Sequence, residues 1–178
     1  GIPASTGKGR VLFVNPRYWP VHHAWESVLA WGLRGRGYDV EFLTCNGCFA
    51  ICDYRAGGKM AKGACGVCAE NSRQLLGDLG FPIRPLGSFV GEPLDLRTTT
   101  VAECRSFRID GVPIGEQCYQ SVCRYLLVGN LTDEHAETYR KFLEGALRIH
   151  RGIGSLLSEK WDFVVMTNGK FFVERILF

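Results

Sequence analysis

Four consecutive apolar residues, Val11, Leu12, Phe13 and Val14, lie between a glycine-containing leader and the turn pair Asn15-Pro16. A strand with one wet face alternates polar and apolar residues. A continuous run is expected where both faces are buried, as at the centre of a parallel sheet. Parallel neighbours need a crossover, usually a helix. From about His23 to Arg36, Trp25, Val28, Leu29, Gly32 and Leu33 recur at helical spacing, with Glu26, Arg34 and Arg36 on the other face. Gly37 suits the left-handed residue beyond a helix end, and Tyr38 to Leu43 supplies a second strand. Arg10 to Leu43 thus reads as a β-α-β unit, whose crossover is right-handed in nearly all known cases.

The rest of the chain is expected to extend this layer. Gly1 to Gly9 reads as a flexible leader without fold information. Cys45 to Cys68 has neither helical nor strand period and reads as an excursion from the sheet. A short helix over Asn71 to Leu79 closes at Gly80, and a short strand follows at Ile83 to Leu86. Gly87 to Gly111 stays open apart from a helix around Val101 to Phe107. Ile114 to Val128 reads as a helix, and Asp133 caps a longer one whose apolar period runs from Tyr139 to Leu157. Trp161 to Thr167 then reads as a buried strand, Asn168-Gly169 as the turn at its carboxyl end, and Phe171 to Phe178 as an opening helix. Two turns of helix cannot complete an α/β layer, so the sequence is expected to belong to a longer polypeptide. The expectation is a Rossmann-like α/β domain over residues 10–178, with helices on both faces of a parallel sheet and a Cys-rich, metal-binding insertion at 45–68.

Composition narrows the function classes. A chain of 178 residues suits one domain, and 46% hydrophobic with 22% charged residues is an ordinary globular mixture. The formal charge of +3 comes from Lys and Arg spread along the chain, so no nucleic-acid partner is indicated. No apolar run reaches the roughly 18 residues of a membrane span. The expected setting is cytoplasmic, and peripheral membrane association remains compatible with it.

Ligands of open α/β sheets bind at the carboxyl ends of the strands. Two segments fall there: Asn15 to His23, with Asn15, Arg17 and Tyr18 as substrate contacts, and Asn168, Gly169 and Lys170. His22 or His23 could serve as a general base, the alternative being that one caps the helix and the other is solvated. Asn168-Gly169 could equally be a plain tight turn. No G-x-G-x-x-G follows the first strand, so dinucleotide binding of the usual kind is not expected.

Five of the eight cysteines, Cys45, Cys48, Cys52, Cys65 and Cys68, fall within 24 residues. Cys45/Cys48 and Cys65/Cys68 are C-x2-C pairs at a spacing that suits tetrahedral zinc, with Cys52 able to replace Cys48. Structural zinc on four of the five is the leading reading. Free thiols, disulfides and an iron-sulfur cluster are the alternatives. Cys104, Cys118 and Cys123 read as buried small apolar residues.

The stretch RVLFVNPRYWPVHHAWESVLAWGLRGRGYDVEFLTCNG resembles the opening of GT-B glycosyltransferases, and LLSEKWDFVVMTNGKFFVERIL is similar to the N-G-[RK]-F segment of bacterial capsule and surface-polysaccharide transferases. Together they cover about a third of the chain. The resemblance implies an N-terminal, acceptor-binding domain, with a nucleotide-sugar donor held by a C-terminal domain and a saccharide or other hydroxyl acceptor. It also implies that His22 or His23 deprotonates the acceptor, although the doublet and the preceding PRYWP depart from the usual small, glycine-containing loop. Two other readings are a cobalamin-binding domain of the kind that precedes radical-S-adenosylmethionine enzymes, for which D-x-H-x-x-G is lacking, and a zinc-stabilised interaction domain.

Overall fold

Val11 to Val14 do form an inner strand of a parallel sheet. The structure is a computed structural model that describes residues 7–58 and 63–177. Most of the leader and part of the Cys-rich segment, 1–6 and 59–62, lie outside the described residues, as does Phe178. In chain order the elements are β1 (Arg10–Val14), α1 (Pro20–Gly35), β2 (Asp39–Thr44), α2 (Ala64–Asp78), β3 (Ile83–Pro85), α3 (Val101–Ser106), α4 (Ile114–Leu126), α5 (Ala136–Gly152), α6 (Gly154–Leu157), β4 (Phe163–Met166) and α7 (Phe172–Leu177). They fall into two compact units. The first comprises Gly1–Cys48, Gly63–Ser88 and Ser155–Thr167, and the second Phe49–Lys62, Phe89–Gly154 and Asn168–Phe178.

The first unit holds a four-stranded, all-parallel sheet in the order β3-β2-β1-β4. Phe13 pairs with Phe42 across β1 and β2, and their rings stack at 4.9 Å. With Val11 and Val40 they make an apolar face on which Ala30 of α1 and Leu76 of α2 pack. Gly37 turns the chain from α1 into β2 at φ 93°, a conformation that side chains disfavour. On β2, Glu41 accepts from Arg10 at 2.8 Å and from Arg84 at 3.1 Å, while Arg10 also reaches Glu159 at 2.9 Å. The Arg10 guanidinium lies 4.1 Å from the centre of the Trp161 ring.

Three expectations for this unit need correction. The apolar stripe expected to bury α1 faces outward: Val28 is 73% exposed, and Trp25 and Leu29 are exposed too. The buried face instead carries His23, Glu26, Ser27 and Ala30, because small residues let a helix approach a sheet closely and Glu26 finds partners there. Next, α2 starts at Ala64 rather than near Asn71, and so takes Cys65 and Cys68 into its first turns. Gly63, at φ 90°, makes the left-handed entry. Finally, β4 is an outer strand with Phe163 and Val164 exposed, although Val165 packs on the core.

The second unit is helical. Cys118, Val122, Tyr139, Phe142 and Phe172 form its centre, with the Phe142 and Phe172 rings 5.4 Å apart. Gly115 opens α4 where a β carbon would meet the Cys104 carbonyl at 2.1 Å, so the approach of α3 depends on that glycine. Thr100 and Glu103 form a capping box on α3. The apolar period that suggested one helix to Leu157 is interrupted after Gly152. At Gly152 a β carbon would lie 2.2 Å from the Phe89 carbonyl. Cys104, Cys118 and Cys123 are buried, as expected.

Candidate functional site at the carboxyl end of the sheet

The chain leaves β1 toward β2 and β3 on one side, then returns to place β4 on the other. A strand order that reverses in this way opens a crevice at the carboxyl ends of the two diverging strands, here β1 and β4. Asn15 follows β1 and Thr167 follows β4. Both donate to the carboxylate of Glu26, Asn15 through its side-chain amide and Thr167 through its hydroxyl. Asn15 also donates its backbone N–H to the Leu43 carbonyl at 2.9 Å, which ties the start of this loop to β2. Glu26 is fully buried. A carboxylate out of water must keep its hydrogen bonds, so these contacts hold the two loop starts at one point.

The β1–α1 loop turns back over this point. Arg17 is buried, with its guanidinium 5.9 Å from the centre of the Trp19 ring. Tyr18 packs its ring 5.0 Å from that of His23, and Trp19 meets His22 edge-on at 4.9 Å. Pro20 occupies the first turn of α1, where its missing N–H is no loss. The two histidines differ in environment. His22 is half-buried, whereas His23 is fully enclosed and neither ring nitrogen has a hydrogen-bond partner among the described residues. Burial pushes the His23 imidazole down to about 4 against the opposing effect of the nearby Trp19 backbone, with a smaller lowering from His22. It is neutral at physiological pH.

The thiols of Cys45, Cys48, Cys65 and Cys68 belong to the same unit. Cys45 and Cys48 lie 3.9 Å apart between sulfurs, and that contact is the largest influence holding the Cys45 thiol down to about 6. Burial raises the Cys68 thiol despite the N–H of Tyr18, which donates to its sulfur at 3.3 Å. Among the described residues, no three His, Cys, Asp or Glu side chains stand as a ready-made metal cage. Cys52 falls in the second unit, its thiol 3.7 Å from Asp53 Oδ1.

Asn168, Gly169 and Lys170 also fall in the second unit. Asn168 Oδ1 accepts the N–H of Lys170 at 3.2 Å, and the Gly169 carbonyl accepts from Arg175 at 3.2 Å. Lys170 lines a surface groove with Gln120, Arg124 and Leu127. Sequence reasoning missed Glu26 and Thr167. A usable signal was present in α1: Glu26 is its only acidic residue and follows the histidine pair by one helical turn.

No protein-family model matches the chain, and no curated protein or solved structure is significantly similar to it. Among the described residues, no helix is long and apolar enough to cross a membrane.

Proposed function

We propose that the chain is the acceptor-binding domain of a glycosyltransferase of the GT-B kind, with helices on both faces of its sheet and a nucleotide-sugar donor held by a second domain. The observation that carries this reading is the meeting of Asn15 and Thr167 on Glu26, at the carboxyl ends of the two strands where the sheet order reverses. That is where open α/β sheets bind their ligands. Of the two histidines, His22 is the one an acceptor hydroxyl can reach. In the reaction the acceptor proton passes to the imidazole, the acceptor oxygen bonds to the anomeric carbon of the donor sugar, and the bond from that carbon to the phosphate breaks. The nucleotide leaves with the electron pair. His23, enclosed and neutral, supports the loop.

The test is turnover of a panel of nucleotide sugars by a polypeptide that contains this chain, with simple saccharides as acceptors. His22→Ala should reduce transfer by about 100-fold or more, the usual weight of a general base. Full activity in the His22→Ala/His23→Ala double variant would remove the base. Failure to bind any saccharide or turn over any nucleotide sugar would remove the assignment itself.

A further inference from the structure

We propose that the protein binds one Zn2+ ion through Cys45, Cys48, Cys65 and Cys68, and that this ion fixes the β1–α1 loop. The inference stands independently of glycosyl transfer. All four thiols come from the first unit, two from the turn directly after β2 and two from the start of α2.

The first pair already has the right span. Two ligands at about 2.3 Å from a tetrahedral ion lie roughly 3.8 Å from each other, and the Cys45 and Cys48 sulfurs are 3.9 Å apart. Gly47 bends the chain between them at φ 82° and donates its N–H to Cys45 Sγ at 3.3 Å. The second pair is spaced i, i+3 on α2, hence on one helix face. A β carbon at Gly47 would lie 3.7 Å from Cys65 Cβ, so the turn and the start of the helix are close neighbours. The sulfur of Cys68 also accepts a backbone N–H, that of Tyr18. Both pairs therefore carry the amide donors that thiolates need beyond their metal.

These thiols do not enclose an ion as they stand. Closing them requires rotamer changes about χ1, the turn at Gly47 and the start of α2 being already neighbours. Zinc fits better than the alternatives. A redox dithiol needs one pair, whereas here two pairs are brought together. In a 4Fe–4S cluster each thiolate takes its own iron, which spreads the sulfurs beyond the span of a single ion's ligands, whereas a 2Fe–2S cluster shares that span and is told from zinc by its iron and labile sulfide. Four thiolates select zinc or iron over magnesium or calcium. On loading, four thiols release four protons to solvent and form four Zn–S bonds, leaving the centre with two negative charges. The Arg17 guanidinium lies within Coulombic range of Cys45 and Cys68 and offsets part of that charge. Because Cys68 holds the Tyr18 amide and Tyr18 packs on His23, the ion would brace the loop that runs from Asn15 to the start of α1, where His22 lies.

Purified protein should contain one equivalent of zinc by elemental mass spectrometry. A chelator should remove it, and adding zinc should restore it. Cobalt in its place should show the visible bands of a tetrahedral thiolate site. Serine at Cys45, Cys48, Cys65 or Cys68 should abolish stoichiometric zinc, while Cys52→Ser should keep it. Removing the metal should increase amide exchange at Tyr18, which distinguishes a site bracing the loop from one that does not reach it. The proposal is overturned by iron with labile sulfide in the purified protein, or by a Cys45–Cys48 disulfide in its place. Metal that survives Cys48→Ser but not Cys52→Ser overturns it equally. Reversible chelation and reloading of the wild-type protein decide the matter even where a serine variant does not fold, and failure to reload overturns the site.

Discussion

The carboxylate of Glu26 in α1 accepts the side-chain amide of Asn15, eleven residues earlier, and thereby fixes the end of β1 to the buried face of the crossover helix. Thr167 adds the end of β4. Glu26→Ala would leave the buried Asn15 amide and the half-buried Thr167 hydroxyl facing a void. We expect it to destabilise the protein by about 2 to 4 kcal/mol, the cost of orphaned donors to a charged acceptor. Denaturant unfolding of Glu26→Ala, Thr167→Val and the double variant would measure it. Additive losses would show that the two groups are not coupled.

Enclosure of His23 makes stability depend on pH. Its folded value of about 4 lies below the ordinary 6.5, so between these limits the unfolded chain binds the extra proton. Stability is then full above about pH 6.5 and falls as pH drops toward 4. The depression corresponds to roughly 3 kcal/mol at one unit per 1.36 kcal/mol. Urea midpoints across this window should fall less steeply in His23→Leu. An unchanged slope would mean that His23 does not contribute.

The reversed face of α1 can be tested directly. Val28 is 73% exposed, whereas Ala30 is fully buried. Val28→Lys should change stability by no more than about 0.5 kcal/mol, as exposed substitutions usually do. Ala30→Glu should cost several-fold more, since it places an unpaired carboxylate against the sheet. Equal costs would restore the face suggested by hydrophobic periodicity.

In the second unit, Gly115→Ala would drive a methyl group into the Cys104 and Arg105 carbonyls, 2.1 and 2.5 Å away. Backbone cannot yield as a flexible side chain does, so a loss of about 3 kcal/mol is expected, at the upper end for overpacking. A melting temperature within a degree of wild type would show that α3 and α4 can separate freely.

Much of the layer could be read from residue order. The uninterrupted run Val11–Val14, the helix ended by Gly37 and the apolar strand at Val40 specify the β-α-β unit, because each rests on local chemistry that the structure repeats. The place of the following loop at the carboxyl end of β1 was equally readable. The burial of Glu26 was not. A carboxylate at helical spacing from apolar residues ordinarily faces water, and its partner Thr167 lies 141 residues away. The start of α2 was hidden for another reason: Gly63 to Cys68 are small residues with no hydrophobic period, so nothing local separates a helix from a loop there.

Taken alone, the sequence determined most of the strands and helices, though not the start of α2 or the break after Gly152, and where thiols come in pairs, since propensity, turn chemistry and spacing act over a few residues. Only the tertiary structure decided which side of α1 faces the sheet, that β4 joins β1 rather than β3, and that the Tyr18 N–H reaches the sulfur of Cys68. Those outcomes depend on contacts between residues far apart in the chain, where close approach and the need to pair every buried polar group outweigh local preference.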